Sequence, residues 1–260
     1  LYDSIQYTDL TLCHHGCSQI HWKYGDGQSD QGTYNTYKTV YNKYSTSNVY
    51  TTEVIIQDAL GCKDTLIKVN HDTIFNLPSV QLVGDTTYGC APLFVQFTDL
   101  SVAADSSTIT NWLWNFGDGN TSTQTNPSHN YFGRGSFNVT LKVTDSRGCD
   151  SSQQVTQYIK PHYPATNFNF SDSVICTYES LQVNNTTTSL ITPLSYFWDF
   201  GDGNTSNDIN PTHKYIKTDS TYIVTLRAVD GYNCDSTITK PIRISKAHGD
   251  FTVSKNSAVF

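Results

Sequence analysis

Two cysteines, Cys13 and Cys17, enclose a pair of histidines near the start of the chain. Thiolate and imidazole groups are preferred zinc ligands, and His14, His15 or His21 could complete a tetrahedral set with the two sulfurs. The spacing is not that of a standard zinc pair, and an oxidising compartment favours a local disulfide instead. We expect the Cys13–Cys17 disulfide, with a metal site or free thiols as the alternatives.

Aspartates in turns form the second group of side chains that could bind a metal. Ca²⁺ takes carboxylate oxygens, and the weak calcium candidates are Asp118, Asp145, Asp202 and Asp230. None of them lies in the dense acidic loop of a strong calcium site. Capping of turns by these carboxylates is therefore the main expectation, weak calcium binding is the alternative, and no other cofactor is expected.

No familiar catalytic pattern occurs in the sequence. It contains no Gly-x-Ser-x-Gly, no His-Glu-x-x-His and no phosphate-binding loop. Glu53 and Glu179 are the only glutamates, which leaves little for paired-carboxylate chemistry. We therefore expect that the chain is not an enzyme.

Composition narrows the class of protein further. The net charge is −7 and the basic residues are scattered, which argues against a nucleic-acid partner. No apolar run is long enough to span a membrane. Seven cysteines in a polar chain indicate an oxidising, extracytoplasmic setting. The absence of methionine predicts a segment of a longer protein, and the incomplete repeats at its two ends predict that each end is cut inside a repeat.

One six-residue phrase recurs and organises the chain, at residues 22–27, 114–119 and 198–203. In each copy a tryptophan and a second aromatic residue are two apart, so on a strand they face the same side. The Gly-Asp-Gly that follows favours a tight turn. We expect the tryptophans to pack in the core at the end of a strand; a ligand platform is the alternative.

Short segments that alternate apolar and polar residues flank each phrase, and turn residues separate them. This pattern predicts an all-β chain of three tandem β-sandwiches in an extended, semi-rigid array. The predicted repeats are 1–73, 74–160 and 161–246, with 247–260 as the first strand of a following repeat.

The phrase Trp-x-Phe-Gly-Asp-Gly followed by Asn-Pro-x-His-x-Tyr resembles the polycystic kidney disease (PKD) domain. The second part occurs at residues 126–131 and 210–215. The first repeat lacks it and carries a tyrosine-rich run instead. The resemblance implies an immunoglobulin-like β-sandwich in each repeat. The equivalent strand-edge positions of His129 and His213 favour a structural hydrogen bond for each, with metal ligation as the alternative.

The same resemblance implies an extracellular, non-catalytic role as a structural or adhesive spacer of a large bacterial surface or secreted protein. Cysteine-bearing arrays of this kind are similar to those of gliding, type IX-secreting bacteria. The alternatives are an accessory region of a secreted hydrolase and a carbohydrate-binding module. Expected partners are neighbouring repeats, surface polysaccharide and other cell-surface proteins. Short triplets resemble an O-glycosylation signal of that setting, at Ser4, Thr65, Thr73 and Ser173.

The repeats also suggest a disulfide framework. Cys90 and Cys176 lie at matching places before an early strand, and Cys149 and Cys234 lie in matching late turns. This parallel placement predicts the pairs Cys90–Cys149 and Cys176–Cys234. Cys62 lies in the late turn of the first repeat, and we expect its partner outside the sequence.

The tyrosine-rich run is the most specific candidate for a binding surface. It comprises Tyr34, Tyr37, Tyr41, Tyr44 and Tyr50. Exposed tyrosines bind sugars and proteins well because the ring buries area while the hydroxyl keeps a hydrogen bond. Partial burial against a neighbouring loop is the alternative.

Overall fold

The computed structural model describes residues 4–13, 15–217 and 220–246. Its described part is all-β: 22 strands and one four-residue helix. The chain divides into two compact units, one of residues 1–82, 100–113 and 141–153, the other of the remaining residues. Residues 247–260, predicted as the first strand of a following repeat, lie outside the described residues.

The first sandwich has six strands and the helix. They are β1 (Ile5–Thr8), β2 (Cys17–Lys23), β3 (Ser29–Thr33), α1 (Tyr34–Tyr37), β4 (Thr39–Asn42), β5 (Asn48–Asp58) and β6 (Lys63–Ile74). One sheet has the order β3-β2-β5-β6, and β1 pairs with β4 in the other. All of these pairs are antiparallel.

The second sandwich has eight strands. They are β7 (Leu82–Gly84), β8 (Tyr88–Cys90), β9 (Leu93–Asp99), β10 (Ile109–Asn115), β11 (Thr121–Ser122), β12 (Ser128–Tyr131), β13 (Phe137–Asp145) and β14 (Asp150–His162). The sheets have the orders β11-β10-β13-β14-β8 and β12-β9-β7. The short β8 runs parallel to the end of β14.

The third sandwich repeats this plan. Its strands are β15 (Phe168–Phe170), β16 (Val174–Cys176), β17 (Ser180–Asn185), β18 (Ser195–Asp199), β19 (Thr205–Ser206), β20 (Thr212–Lys214), β21 (Ser220–Val229) and β22 (Asp235–Ser245). The orders are β16-β22-β21-β18-β19 and β15-β17-β20. The short β16 runs parallel to the end of β22, as β8 does beside β14.

The tryptophan of each recurring phrase is a core residue, as its position on an apolar strand face predicts. The three side chains are at most 5% exposed: Trp22, Trp114 and Trp198. Each indole N–H donates to a main-chain carbonyl further along the chain, at Tyr37, Gln124 and Asp208. A large ring that is buried and has its one polar group hydrogen-bonded belongs to the core. These tryptophans are therefore not a platform for a ligand.

A buried tyrosine completes the same arrangement in all three sandwiches. Its hydroxyl donates to the carbonyl of the aromatic residue in the recurring phrase, within 2.9–3.1 Å; these tyrosines are Tyr44, Tyr131 and Tyr215. The first sandwich therefore has the core of the other two, although its sequence lacks the Pro-x-His-x-Tyr motif.

Candidate functional site

The most distinctive group of side chains surrounds a disulfide between the second and third sandwiches. The sulfurs of Cys90 and Cys234 are bonded at 2.06 Å, with a Cα–Cα distance of 5.1 Å. The two cysteines are 144 residues apart in sequence. This bond therefore joins successive β-sandwiches covalently.

Regular structure positions Cys90. It ends β8, where it lies opposite His162 at the end of β14. The N–H of Lys160 donates to the Thr87 carbonyl at 2.8 Å, and the N–H of Ala91 donates to the His162 carbonyl at 3.0 Å. The early cysteine is thus held at the end of the last strand of its own sandwich.

An aspartate positions Cys234 in the turn between β21 and β22. Oδ1 of Asp230 accepts the N–H of Tyr232 at 2.9 Å and that of Cys234 at 3.1 Å. The Asp230 N–H donates to the Cys234 carbonyl at 2.9 Å. A carboxylate that caps main-chain donors in this way fixes a turn. The late cysteine therefore lies at the beginning of the last strand.

The predicted pairs Cys90–Cys149 and Cys176–Cys234 are wrong in this structure. Cys234 comes just before β22, whereas Cys176 pairs with Ser245 at its end. A strand of eleven residues rises roughly 35 Å, while a disulfide needs Cα atoms within about 7 Å. The thirteen-residue β14 intervenes in the same way between Cys149 and the residue opposite Cys90. Cys149 and Cys176 are unbonded.

A cluster of aromatic rings lies beside Cys234. The ring of His162 stacks on Tyr88 with centroids 4.4 Å apart, and Tyr232 meets both rings edge-on. Nε2 of His162 lies 3.2 Å from Sγ of Cys234 and 3.5 Å from Oδ2 of Asp230. Burial raises the pKa of Tyr88, and the neighbouring Tyr232 and Asp230 add to that rise. No pattern in the sequence identified Tyr88, His162 or Tyr232 as neighbours of a disulfide.

Metal binding at this cluster meets a chemical obstacle. Within the part of the chain that the structure describes, His162, Asp230 and Cys234 form the one group of His, Cys, Asp and Glu with ligand atoms close enough for an ion, all within 4.8 Å. The sulfur of Cys234 is bonded to Cys90 and is no longer a thiolate. The two ligands left are fewer than the three or four protein ligands of zinc sites, so the residues do not fit a metal.

A groove lies next to the disulfide, with a volume of about 550 Å³. Its lining includes Tyr88, Tyr163, Arg134, Lys160 and Leu190. The Arg134 guanidinium lies over the Tyr163 ring, 5.7 Å from its centroid. Aromatic faces with two cationic side chains suit an acidic or sugar-like ligand.

The calcium candidates cap separate turns. Asp118 and Asp202 each accept a hydrogen bond from a histidine, His129 at 2.6 Å and His213 at 2.8 Å. Oδ1 of Asp145 accepts main-chain N–H groups, and its Oδ2 accepts the hydroxyl of Ser107 at 2.8 Å. The structure does not bring these carboxylates together. Weak calcium binding stays a prediction.

The two histidines complete a repeated stack. His129 lies flat on Phe116 and His213 on Phe200, with centroids 4.3 and 4.1 Å apart. Burial alone would raise the pKa of the Asp118 carboxyl, but hydrogen bonds from His129 and Asn120 lower it below its usual value. These histidines have a structural hydrogen bond, in agreement with the main expectation.

The first sandwich uses an asparagine in place of this histidine. Asn42 lies opposite Ile5, as His129 lies opposite Val95. Its Nδ2 donates to Oδ2 of Asp26 at 3.0 Å. The spacing Asn42-x-Tyr44 was the signal in the sequence, since it matches His129-x-Tyr131.

We expect His129→Asn, which copies the first sandwich, to lower the unfolding free energy of the second sandwich by about 1–2 kcal/mol through lost stacking and a weaker hydrogen bond. The pKa of Asp118 is lowered in the folded state, so its contribution is present above about pH 4 and is lost as the pH falls through the folded pKa. The difference in unfolding free energy between the variant and the parent protein should become smaller below that pH.

Hydrogen exchange in urea at pH 7 and pH 3 measures this difference, with amides of the third sandwich as internal reference. His15→Asn, a change at an exposed histidine, is the matched control. Equal differences at both pH values would contradict the assigned role of the carboxylate.

The tyrosine-rich run is mostly core, so the predicted binding surface is wrong for Tyr34 and Tyr44. Both are buried. The hydroxyl of Tyr34 donates to Oδ2 of Asp9 at 2.7 Å, and burial together with this bond raises the pKa of Tyr34 to about 12. Tyr50 is buried too and stacks on Tyr44. Tyr37 packs against the core, and Tyr41 is 62% exposed.

A buried carboxylate, Asp72, is hydrogen-bonded by hydroxyl groups of the first sandwich. Oδ2 of Asp72 accepts the hydroxyls of Tyr7 at 2.7 Å and Thr52 at 2.6 Å, and Oδ1 lies 3.0 Å from Nδ1 of His71. Burial would raise the pKa of Asp72, but these hydrogen bonds lower it. Hydroxyl-bearing rings satisfy a buried charge that phenylalanine would leave without partners.

The remaining predicted residues lie apart from the disulfide cluster. Cys13 and Cys17 are bonded to each other, as predicted, so neither offers a thiolate to a metal. His14 lies outside the described residues, and Cys62 is exposed and unbonded. The four predicted glycosylation positions are all exposed, and their modification stays a prediction: Ser4, Thr65, Thr73 and Ser173. In the described residues the helix is far too short to cross a membrane.

Comparison with known families and proteins gives consistent matches. Residues 76–160 and 162–245 each match the family described as PKD domain. Collagenase ColA of Bacillus cereus is 35% identical over 99 residues, which cover 38% of this chain and 10% of the relative. Pre-pro-metalloprotease PrtV of Vibrio cholerae is 34% identical over 105 residues, covering 37% of this chain and 11% of the relative.

The crystal structure of the PKD1 domain from Vibrio cholerae metalloprotease PrtV is similar as well. It is 32% identical, with a TM-score of 0.29, and the match covers 33% of this chain and 98% of that domain. The chain spans about a tenth of the length of the curated relatives that it matches.

Proposed function

Because this chain belongs to the PKD domain family, we propose that it is a non-catalytic structural segment of a larger extracellular protein. Its task is to hold successive β-sandwiches in a defined arrangement, so that other parts of the protein are kept at a set distance. The observation that carries this proposal is the disulfide from Cys90 to Cys234, which crosses from one sandwich to the next.

Three features support this role. The Cys90–Cys234 disulfide, called the tie below, fixes the second sandwich to the third with a bond that thermal motion does not break. Tyr88 and His162 of the second sandwich contact the ring of Tyr232 in the third, which adds a noncovalent contact between the two sandwiches. Two disulfides also fit an oxidising compartment, which is the reason for an extracellular assignment. A large surface protein of gliding, type IX-secreting bacteria is the specific setting that we favour.

We expect the distance between the two tied sandwiches to be narrowly distributed and to broaden when the tie is removed, because a short junction alone permits domain motion. Spin labels attached without cysteine chemistry at Asn130 and Lys214, which are equivalent exposed positions, report this distance by pulsed electron resonance. The test variant is Cys90→Ser/Cys234→Ser.

The control variant is Cys13→Ser/Cys17→Ser, which removes only the local bridge of the first sandwich. It should leave the distribution between Asn130 and Lys214 unchanged. An equally narrow distribution in the variant without the tie would show that the disulfide does not set the arrangement, and the proposed role would lose its basis.

A second candidate function is an accessory region of a secreted hydrolase. It is favoured by the similarity to segments of proteins named collagenase and metalloprotease. The groove lined by Tyr163 and Arg134 offers a surface for such a task. Binding of the chain to insoluble collagen, lost in Tyr163→Ala/Arg134→Ala, would favour this candidate over a pure spacer. Binding to polysaccharide instead would favour a carbohydrate-binding role.

A further inference from the structure

The turn that presents Cys234 is built three times. In each sandwich an aspartate at the end of a long strand accepts the N–H of the cysteine four residues later through Oδ1, at 2.8–3.1 Å, and donates its own N–H to that cysteine's carbonyl. The pairs are Asp58 with Cys62, Asp145 with Cys149, and Asp230 with Cys234. Cys62 and Cys149 are therefore held as Cys234 is held, but they are unbonded.

The strand that presents Cys90 is built twice. Cys90 lies opposite His162 and Cys176 lies opposite Ser245, each in a parallel pair with the end of the last strand. The N–H of the next residue donates to the carbonyl of that opposite residue at 3.0 Å in both sandwiches. Cys176 is therefore the counterpart of Cys90, yet it is exposed and unbonded.

The one bonded pair of this kind connects an early cysteine to the late cysteine of the sandwich that follows. Within the described residues the third sandwich has no successor, so Cys176 has no late cysteine to meet. Likewise, the first sandwich has no early cysteine among its described residues, so Cys149 lacks a partner. The unbonded cysteines are thus those whose adjoining sandwich, or its cysteine, is not among the residues that the structure describes.

We propose that Cys176 is a site of covalent cross-linking to the late-turn cysteine of a PKD domain that follows directly in the chain. Cys149 has the complementary position, which faces backward along the chain as Cys234 does. A domain that carries both cysteines then bonds forward through its early cysteine and backward through its late one. This is a ladder of ties between domains, rather than one disulfide inside each.

The sequence after the third sandwich suits such a successor. Phe168, the first residue of β15, comes six residues after His162, and Phe251 comes six residues after Ser245. The number of residues between the end of β22 and Phe251 therefore equals the number between β14 and β15. A cysteine in the next late turn would face Cys176 as Cys234 faces Cys90.

Bond formation is an oxidation of two thiols. The Sγ–H groups of Cys176 and its partner lose two protons and two electrons as the S–S bond forms. The electrons reduce an acceptor disulfide, either that of a thiol–disulfide oxidoreductase or oxidised glutathione, to two thiols.

The 260-residue chain itself provides the first test. Alkylation with iodoacetamide under non-reducing, denaturing conditions should modify Cys62, Cys149 and Cys176 only. Peptide mapping by mass spectrometry identifies the sites. A bond between Cys176 and Cys234, or between Cys90 and Cys149, would overturn the proposal, because the early-to-late rule between domains would then not hold.

The second test supplies a successor domain. An extended chain carries residues 1–245 followed directly by another copy of residues 163–246 in which Cys176 is replaced by serine, and it is oxidised with oxidised glutathione. We expect a disulfide between Cys176 of the first copy and Cys234 of the added copy, with loss of alkylation at Cys176. Replacing that added Cys234 with serine should restore alkylation.

If Cys176 stays open to alkylation in the extended chain while Cys90 remains bonded to Cys234, the proposal is refuted. The Cys90–Cys234 bond serves as the internal standard, since its presence shows that the chain is folded and oxidised. This outcome would leave the spacer role intact, because that role depends on the existing tie.

Discussion

Pulled from its two ends under non-reducing conditions, the chain is expected to release roughly 500 Å less length than after reduction. The Cys90–Cys234 bond encloses 144 residues, and an extended chain spans at most 3.3–3.6 Å per residue. With the bond intact, force passes through the two sulfurs and bypasses the chain between Cys90 and Cys234, whereas β7 and β22 lie outside this loop. The hidden length then appears only when the disulfide opens.

Single-molecule force spectroscopy on the whole chain measures this difference directly. Reduction should reveal the added length as unfolding of two successive sandwiches. Two disulfides inside separate domains would instead each lock nearly sixty residues and release roughly 200 Å apiece. Cys13→Ser/Cys17→Ser is the matched control, because its bridge encloses few residues and should change the total very little. Length gains that are the same with and without reductant would contradict the tie.

The same bond contributes to stability. Closing a loop of this size lowers the entropy of the unfolded chain, and the chain-entropy model gives about 5 kcal/mol for it. That contribution is shared by two sandwiches. Loss of the bond therefore weakens both of them together.

Replacing Gly201 with alanine is expected to destabilise the third sandwich by about 2–5 kcal/mol, from a strained backbone and a steric clash together. Gly201 has φ of +78°, a region that residues with a Cβ rarely adopt. A Cβ at this position would lie 2.7 Å from the carbonyl oxygen of Ile223, which belongs to β21 and cannot easily move. The recurring phrase thus packs directly against the neighbouring strand.

Gly203→Ala separates the two causes. Gly203 has φ of +94°, but a Cβ there would meet nothing within 4 Å. It should therefore show the backbone strain alone, about 1–2 kcal/mol. Urea unfolding followed by hydrogen exchange of β21 amides measures both variants. Equal losses in Gly201→Ala and Gly203→Ala would show that the clash with Ile223 has no effect.

The architecture could be predicted from the sequence because its signals are local. The alternation of apolar and polar residues and the recurring Gly-Asp-Gly turn each involve only a few consecutive residues. Both can therefore be recognised without knowledge of the rest of the chain. The core position of Trp198 follows from one strand face. The bridge between Cys13 and Cys17 follows from short spacing.

The disulfide site could not be predicted in the same way, because it depends on which end of the last strand lies near each cysteine. Sequence alignment shows that Cys176 and Cys90 are equivalent, but it does not show that β22 separates Cys176 from Cys234 by its full length. The identity of Tyr88 and His162 as neighbours of the tie depends on the same long-range geometry. The buried Asp72 was missed since its partner Tyr7 lies 65 residues earlier in the chain, on a strand of the other sheet.

The tie between the second and third sandwiches also changes what a protease can accomplish. A single cut anywhere between Cys90 and Cys234, including the short junction after His162, leaves both fragments joined through sulfur. To release the part of the protein that follows the cut, a protease must cut outside this loop, or a reductant must also break the disulfide. A nicked molecule therefore keeps its distal part attached.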